Sequence, residues 1–247
     1  MIRYIENHAL VYWHTMRLIN RFFPPDQSIK VLELGAAPYF FTALVQTWRQ
    51  ATVTPVNVPA GLWPGEPLPL DEGAVRLSRG PDHPALDLTV RVFNIEKDPF
   101  PFPPGSFDLV LFMEVLEHLI YSPTHVLYEA HRVLKPTGYL LITVPNCLSI
   151  KRLALSFFNQ TFEYPYSGYG VYGRHQREFA PHELRALLTA CNYEPAILYT
   201  DNVWRYNPRA SKSRWFFNRL LDWITSLPIP FLAAKRDYIF AVSRPIG

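Results

Sequence analysis

The chain reads as an α/β protein: a doubly wound, mostly parallel sheet of seven strands with an antiparallel last strand, plus insertions. Three observations predict this. Short apolar runs recur along the chain and alternate with stretches whose apolar residues fall at helical spacing, the pattern of strand-helix-strand units. The first run, Ile29 to Leu34, ends in Gly35 and passes directly into an apolar stripe of Phe40, Phe41, Leu44, Val45 and Trp48. A later helical stretch closes in Lys135-Pro136-Thr137-Gly138, a helix stop and tight turn, before the apolar run Tyr139 to Val144.

Taken in order, residues 4 to 22 predict an amphipathic leading helix, with Ile5, Leu10, Val11, Trp13 and Leu18 on one broad face and Pro24-Pro25 as its stop. After the first strand, Gly35 permits a sharp turn, and Pro38 is placed to open the next helix. Ala51 to Asn57 is β-branched and predicts the second strand. Residues 58 to 87 hold six prolines between Pro59 and Pro84, which predicts a long irregular insertion. Leu88 to Asn94 alternates and predicts the third strand, and the apolar run that follows Phe107-Asp108 predicts the fourth. Ser122-Pro123 opens a helix whose inner face is Val126, Leu127, Ala130, Val133 and Leu134. A further helix is expected from Ser149 to Phe158. Another starts at Ala180-Pro181-His182-Glu183, with proline and an acid early as caps prefer. Tyr193 to Tyr199 is the sixth strand, and Asp237 to Ser243 the last, at or near the sheet edge.

The bulk properties narrow the class. A chain of 247 residues suits one α/β domain of ordinary size with insertions, so a single domain over 1–247 is expected. Hydrophobic residues make up 49% and charged residues 18%, which describes a globular protein. A formal net charge of +3 without a dense Lys/Arg stripe gives no argument for nucleic acid. Cys147 and Cys191 lie far apart, without metal-ligand spacing, and suit a reducing cytosol; a cytoplasmic location is expected. The N-terminus lacks the clean apolar segment of a secretory signal, and no run is long enough to span a bilayer. Residues 201–234 form an insertion in which Trp215, Phe216, Phe217, Leu220, Leu221 and Trp223 are flanked by basic residues. Packing against the domain is its expected role, with a dimer face or a peripheral membrane contact through 213–233 as the alternatives.

The stretch Glu33-Leu34-Gly35-Ala36-Ala37-Pro38-Tyr39 resembles the first motif of the class I S-adenosylmethionine (SAM) methyltransferases: an apolar strand, an acid-x-glycine, then small residues. Phe107-Asp108 before an apolar strand, then Glu114-Val115-Leu116-Glu117-His118, resembles the fourth-strand region of that family. Glu129-Ala130-His131-Arg132-Val133-Leu134-Lys135-Pro136-Thr137-Gly138 resembles its helix end before the fifth strand. The resemblance covers roughly residues 29 to 200 and the last strand. It implies a Rossmann-like sheet and SAM as cofactor. The residues implied to hold SAM are Glu33, Gly35, Ala36, Ala37, Tyr39, Asn57, Asn94, Ile95, Met113 and Glu114. Asn57 stands where the family usually carries a ribose-binding acid and is a departure from it. Asn94 matches the adenine-binding position in type, with Ile95 flanking the ring.

Tyr164 to Phe179 gathers four tyrosines, three glycines, two arginines and a histidine. It resembles an insert found in methyltransferases of bacterial glycan and natural-product pathways, where Tyr-Gly-Arg-His-x-Arg-Glu leads into a helix. Residues 146–178 are therefore expected to form a substrate lid, with Asn146, Tyr169, Tyr172 and Arg174 as substrate contacts. The implied reaction is methyl transfer to a small-molecule acceptor, a hydroxyl of a sugar or related metabolite. His118 and His175 are the candidate bases, because histidine has the unperturbed pKa such a role needs. No His/Asp/Glu set has metal-ligand spacing, so no metal is expected. Transfer to nitrogen or carbon, and a non-catalytic SAM- or partner-binding role, are the alternatives. A dinucleotide binder is disfavoured, since the first turn lacks Gly-x-Gly-x-x-Gly.

Overall fold

The computed structural model describes residues 2–49, 51–58, 73–77, 85–157, 173–203 and 212–247. Its elements in chain order begin with α1 (Ile2–Phe22), β1 (Ile29–Leu34), α2 (Phe40–Trp48), β2 (Ala51–Asn57), β3 (Gly73–Leu77) and β4 (Leu86–Val92). They continue with β5 (Phe107–Met113), a single 3₁₀ turn (Leu116–His118), α3 (Thr124–Val133), β6 (Leu134–Pro145) and α4 (Ile150–Ser156). The chain closes with α5 (Pro181–Ala190), β7 (Tyr193–Asp201), α6 (Lys212–Ser226), α7 (Pro230–Ala233) and β8 (Tyr238–Pro245).

One eight-stranded sheet runs in the order β3-β4-β2-β1-β5-β6-β8-β7. The pairs β4-β2, β2-β1, β1-β5 and β5-β6 are parallel. The last strand, β8, inserts antiparallel between β6 and β7. Side chains alternate across the sheet and fill a core on each face. Leu32, Leu34, Val110 and Phe112 pack against α3 and α5 through Val126, Leu127, Ala130, Leu184 and Leu188. Val31, Leu109 and Leu111 face the other way, onto Val11, Leu18 and Ile19 of α1 and Phe41 and Val45 of α2. Because β1 lies between β2 and β5, the chain leaves the sheet in opposite directions on either side of it. A crevice therefore opens at the C-terminal ends of these strands, where open α/β sheets bind ligands.

Three expectations need correction. The sheet has eight strands, because Gly73–Leu77 pairs antiparallel with β4 inside the region expected to be irregular. Five residues among many prolines are too few for periodicity to show, although Val75 and Leu77 do alternate with Arg76. Pro38 does not open α2. That helix begins at Phe40, after Tyr39 in the left-handed conformation at φ 67°. The Lys135-Pro136-Thr137-Gly138 turn is a bulge within β6, between the Phe107–Leu134 and Leu109–Tyr139 pairs. A Cβ at Gly138 would meet the Asp108 carbonyl oxygen at 2.9 Å, which is why glycine stands there.

The aromatic helix α6 buries Leu221 and Thr225 but leaves Phe216 66% and Trp223 61% exposed, and Phe231 of α7 is 69% exposed. The packing expected for this insertion thus accounts for only its inner edge. Among the described residues no helix is long and apolar enough to cross a membrane.

Candidate active site

The crevice edge collects the predicted SAM residues from four adjacent strand ends. Gly35 turns the chain out of β1 at φ 67°, and a Cβ there would meet Val115 Cγ2 at 2.4 Å. Both the backbone angle and the space demand glycine. The Ala36 N–H donates to the Val56 carbonyl (3.0 Å), and the Tyr39 N–H to Ala36 (2.7 Å), which fixes the loop against β2. Ala37 packs beside Tyr39, whose buried ring lies among Ala36, Val75, Leu88 and Val90. The Tyr39 hydroxyl accepts from Asn57 Nδ2 at 3.4 Å, so the residue at the ribose position is engaged by the glycine loop itself. Burial raises the Tyr39 pKa.

Glu33 is also buried, and Thr42 Oγ1 of α2 donates to its Oε2 at 2.5 Å. Burial pushes its pKa up to about 7. Beyond β4, the Asn94 Oδ1 accepts from the Glu96 N–H (3.0 Å) in a local turn that buries Ile95. At the end of β5, Met113 packs toward the α1 and α2 face. Glu114 follows in the left-handed region, at φ 55°.

Glu114 is fixed from two sides, by Thr143 Oγ1 (2.9 Å) and the Tyr238 hydroxyl (2.5 Å). Burial raises its pKa to about 7, and burial likewise holds Glu117 and Tyr238 well above their usual ranges. These bonds tie Glu114 to both β6 and β8. Asn146 is wholly buried. Its amide donates to the Ala234 (2.9 Å) and Arg236 (2.7 Å) carbonyls, and its Oδ1 accepts from the Leu148 N–H (3.0 Å). The side chain is a joint between the end of β6 and the approach to β8.

The histidines, far apart in sequence, come together. The segment 173–180 is tied to the end of β6 by the Asn146–Phe179 bridge. It is tied to the 3₁₀ turn by the Gln176 and Arg177 N–H groups, which donate to the Glu117 carbonyl at 2.7 and 3.3 Å. As a result the His118 and His175 rings lie 4.9 Å apart, edge to face. His118 Nδ1 stands 3.0 Å from the Arg174 carbonyl oxygen. His175 Nδ1 stands 2.6 Å from Glu178 Oε1, and Glu178 also pairs with Arg152. Tyr169 and Tyr172 lie outside the described residues.

The sequence reading missed Glu117, Glu178, Arg152, Thr143 and Tyr238 as members of this cluster. Glu117 and Glu178 stood inside the quoted motifs. Glu178 had a usable signal in its three-residue spacing from His175. Arg152, Thr143 and Tyr238 come from other elements, and only the fold brings them in.

The methyltransferase domain family model matches residues 9–196. Solved structures share the fold. A SAM-dependent methyltransferase of Archaeoglobus fulgidus aligns at TM-score 0.57 and 15% identity, covering 96% of this chain and 94% of that one. One from Methanosarcina mazei aligns at TM-score 0.53 and 16% identity, covering 93% and 97%. The [4+2]-cyclase SpnF aligns at TM-score 0.50 and 14% identity, covering 95% and 81%. No curated protein matches the chain in sequence. The chain belongs to the methyltransferase domain family. It is a class I SAM-dependent methyltransferase, and its cofactor is SAM.

Its crevice fits that cofactor in most respects. The glycine turn, Asn94 and Ile95 occupy strand ends around one edge. Asn57 offers an amide oxygen with no partner among the described residues, but no carboxylate.

Proposed function

We propose that the enzyme methylates a hydroxyl of a sugar or related small metabolite. The observation that carries this reading is the pairing of His118 and His175 beside Glu117, beyond the ends of β5 and β6. SAM supplies an electrophilic methyl group on its sulfonium. The protein's own task is to hold the acceptor oxygen in line and to ease the loss of its proton. Gly35, Ala36, Ala37, Tyr39, Asn57, Asn94 and Ile95 are assigned to the cofactor. Arg174 and the histidine cluster are assigned to the acceptor. The Nδ1 contacts of both rings orient them, so each presents a defined nitrogen rather than a rotating one. A cluster rich in carboxylate, imidazole and guanidinium groups suits an acceptor with several hydroxyls, because each hydroxyl both donates and accepts.

A screen of glycoside acceptors with labelled SAM tests this. The expected result is label on a hydroxyl oxygen. His175→Ala is expected to lower kcat by about 10²-fold or more while SAM affinity stays within about twofold. Label found only on nitrogen or carbon, or an unchanged rate in His175→Ala, would overturn the reading. The tie between Tyr39 and Asn57 favours one rival, a member that binds without transferring. That rival predicts no label on any acceptor.

A further inference from the structure

We propose that Glu117, His118 and His175 form a binding site for a divalent first-row transition-metal ion. One ligand atom from each of the three lies within 4.8 Å of the others. The hydrogen-bond partners then fix which nitrogen serves. A carbonyl oxygen can only accept, so His118 Nδ1 carries the hydrogen toward Arg174, and the lone pair of the neutral ring is on Nε2. The same holds for His175, whose Nδ1 meets a Glu178 carboxylate oxygen. A ring N–H held by a carbonyl or carboxylate is the arrangement that orients metal-binding histidines.

Glu117 supplies an independent sign. The residue is 1% exposed, yet its Oε2 has no hydrogen-bond partner among the described residues. A buried carboxylate oxygen left so is costly unless a cation meets it.

The donor set selects the ion class. Two imidazole nitrogens and a carboxylate oxygen suit Mn²⁺, Fe²⁺, Co²⁺ or Zn²⁺, whereas calcium prefers oxygen alone. Metal bonds of about 2.0–2.1 Å place tetrahedral ligands about 3.3 Å apart. The present spacing, within 4.8 Å, is wider than that. The sequence hid this site because Glu117 and His118 are adjacent and their partner arrives through the fold.

The role of the ion rests on the hydroxyl-acceptor reading; its binding does not. A bound ion would take the acceptor oxygen as a further ligand and make that hydroxyl more acidic. The two histidines would then hold the ion rather than the proton.

The test uses the full chain, stripped of metal by chelation and titrated with Mn²⁺ under electron paramagnetic resonance. One ion per chain is expected, with histidine nitrogen couplings in the pulsed spectrum of the unmodified protein. His175→Ala and Glu117→Gln should each weaken uptake by about 100-fold, while His182→Ala should leave it unchanged. Circular dichroism checks that each variant is folded. The absence of saturable uptake at millimolar Mn²⁺, or of nitrogen couplings, would overturn the site without recourse to any variant. Uptake without methylation of any hydroxyl acceptor would support the site and overturn the acceptor reading. A full methylation rate after chelation, with no uptake, would do the reverse.

Discussion

Replacing Gly35 with alanine tests the turn on which the cofactor crevice depends, and the cost separates into two parts. At φ 67° an L-residue costs about 1–2 kcal/mol. The new Cβ would also sit 2.4 Å from Val115 Cγ2, an overlap that can be relieved only by moving Val115 or the turn. Overpacking of this kind costs about 1–3 kcal/mol, so Gly35→Ala is expected to lose about 2–5 kcal/mol. Val115→Ala alone removes two methyl groups at a partly buried site, at about 1 kcal/mol. It leaves only its Cβ, 3.5 Å away in ordinary contact. In that background Gly35→Ala should cost only the backbone strain. The double variant should therefore be about 1–3 kcal/mol more stable than the sum of the single effects. Urea unfolding of all four proteins, with SAM affinity measured on each, reads this directly. Additivity within about 0.5 kcal/mol would refute the packing argument.

Other outcomes follow from the same contacts. Glu33 keeps its proton to higher pH in the fold than unfolded, its pKa rising from 4.5 to about 7. Its stabilisation is thus fully present below about pH 4.5 and lost as pH rises through about 7, a swing of about 3 kcal/mol. Glu33→Gln, which can still accept from Thr42, should flatten the stability curve and gain on the parent at pH 8; parallel curves would contradict the assignment. Asn146→Ala should lower stability by about 3 kcal/mol by stranding two carbonyls and an N–H, visible as a drop in urea midpoint. An unchanged midpoint with a higher acceptor KM would return Asn146 to substrate binding. Arg132→Ala should cost about 2 kcal/mol or more in thermal unfolding. Its guanidinium holds the Phe100 and Phe102 carbonyls (both 2.8 Å) and so pins the proline-rich connection to α3. A Tm within one degree of the parent would refute that.

The parts of the fold legible in the sequence were those with a long repeating pattern. The central strands and the helices of residues 2–22, 124–133 and 181–190 each bury one periodic face, and such faces announce themselves. Gly73–Leu77 did not, because an edge strand of five residues carries too little pattern to outweigh the prolines in the sequence around it. Pro38 misled because a proline next to a helix start is compatible with either the turn or the first helical position. Tyr39 takes the left-handed angle between them. The site divides in the same way. Glu33, Gly35, Asn94 and His118 are local to strand ends and could be placed by counting. The carboxylate-histidine cluster depends on β6 and β8 lying side by side and on segment 173–180 folding back, which no local spacing encodes. Asn146 and Glu114 are expected as ligands because polar residues at strand ends invite such roles, and in the fold both also make hydrogen bonds to β6, β8 or its approach.

Calorimetric titration of the purified protein with SAM and with S-adenosylhomocysteine is the most direct test of the central claim. Saturable binding of both, in the micromolar range and weakened by Asn94→Ala, is the predicted result, with Asn57 in place of an acid at the ribose position. Failure of either to bind at millimolar concentration, in protein shown to be folded, would contradict the assignment of this crevice to the cofactor.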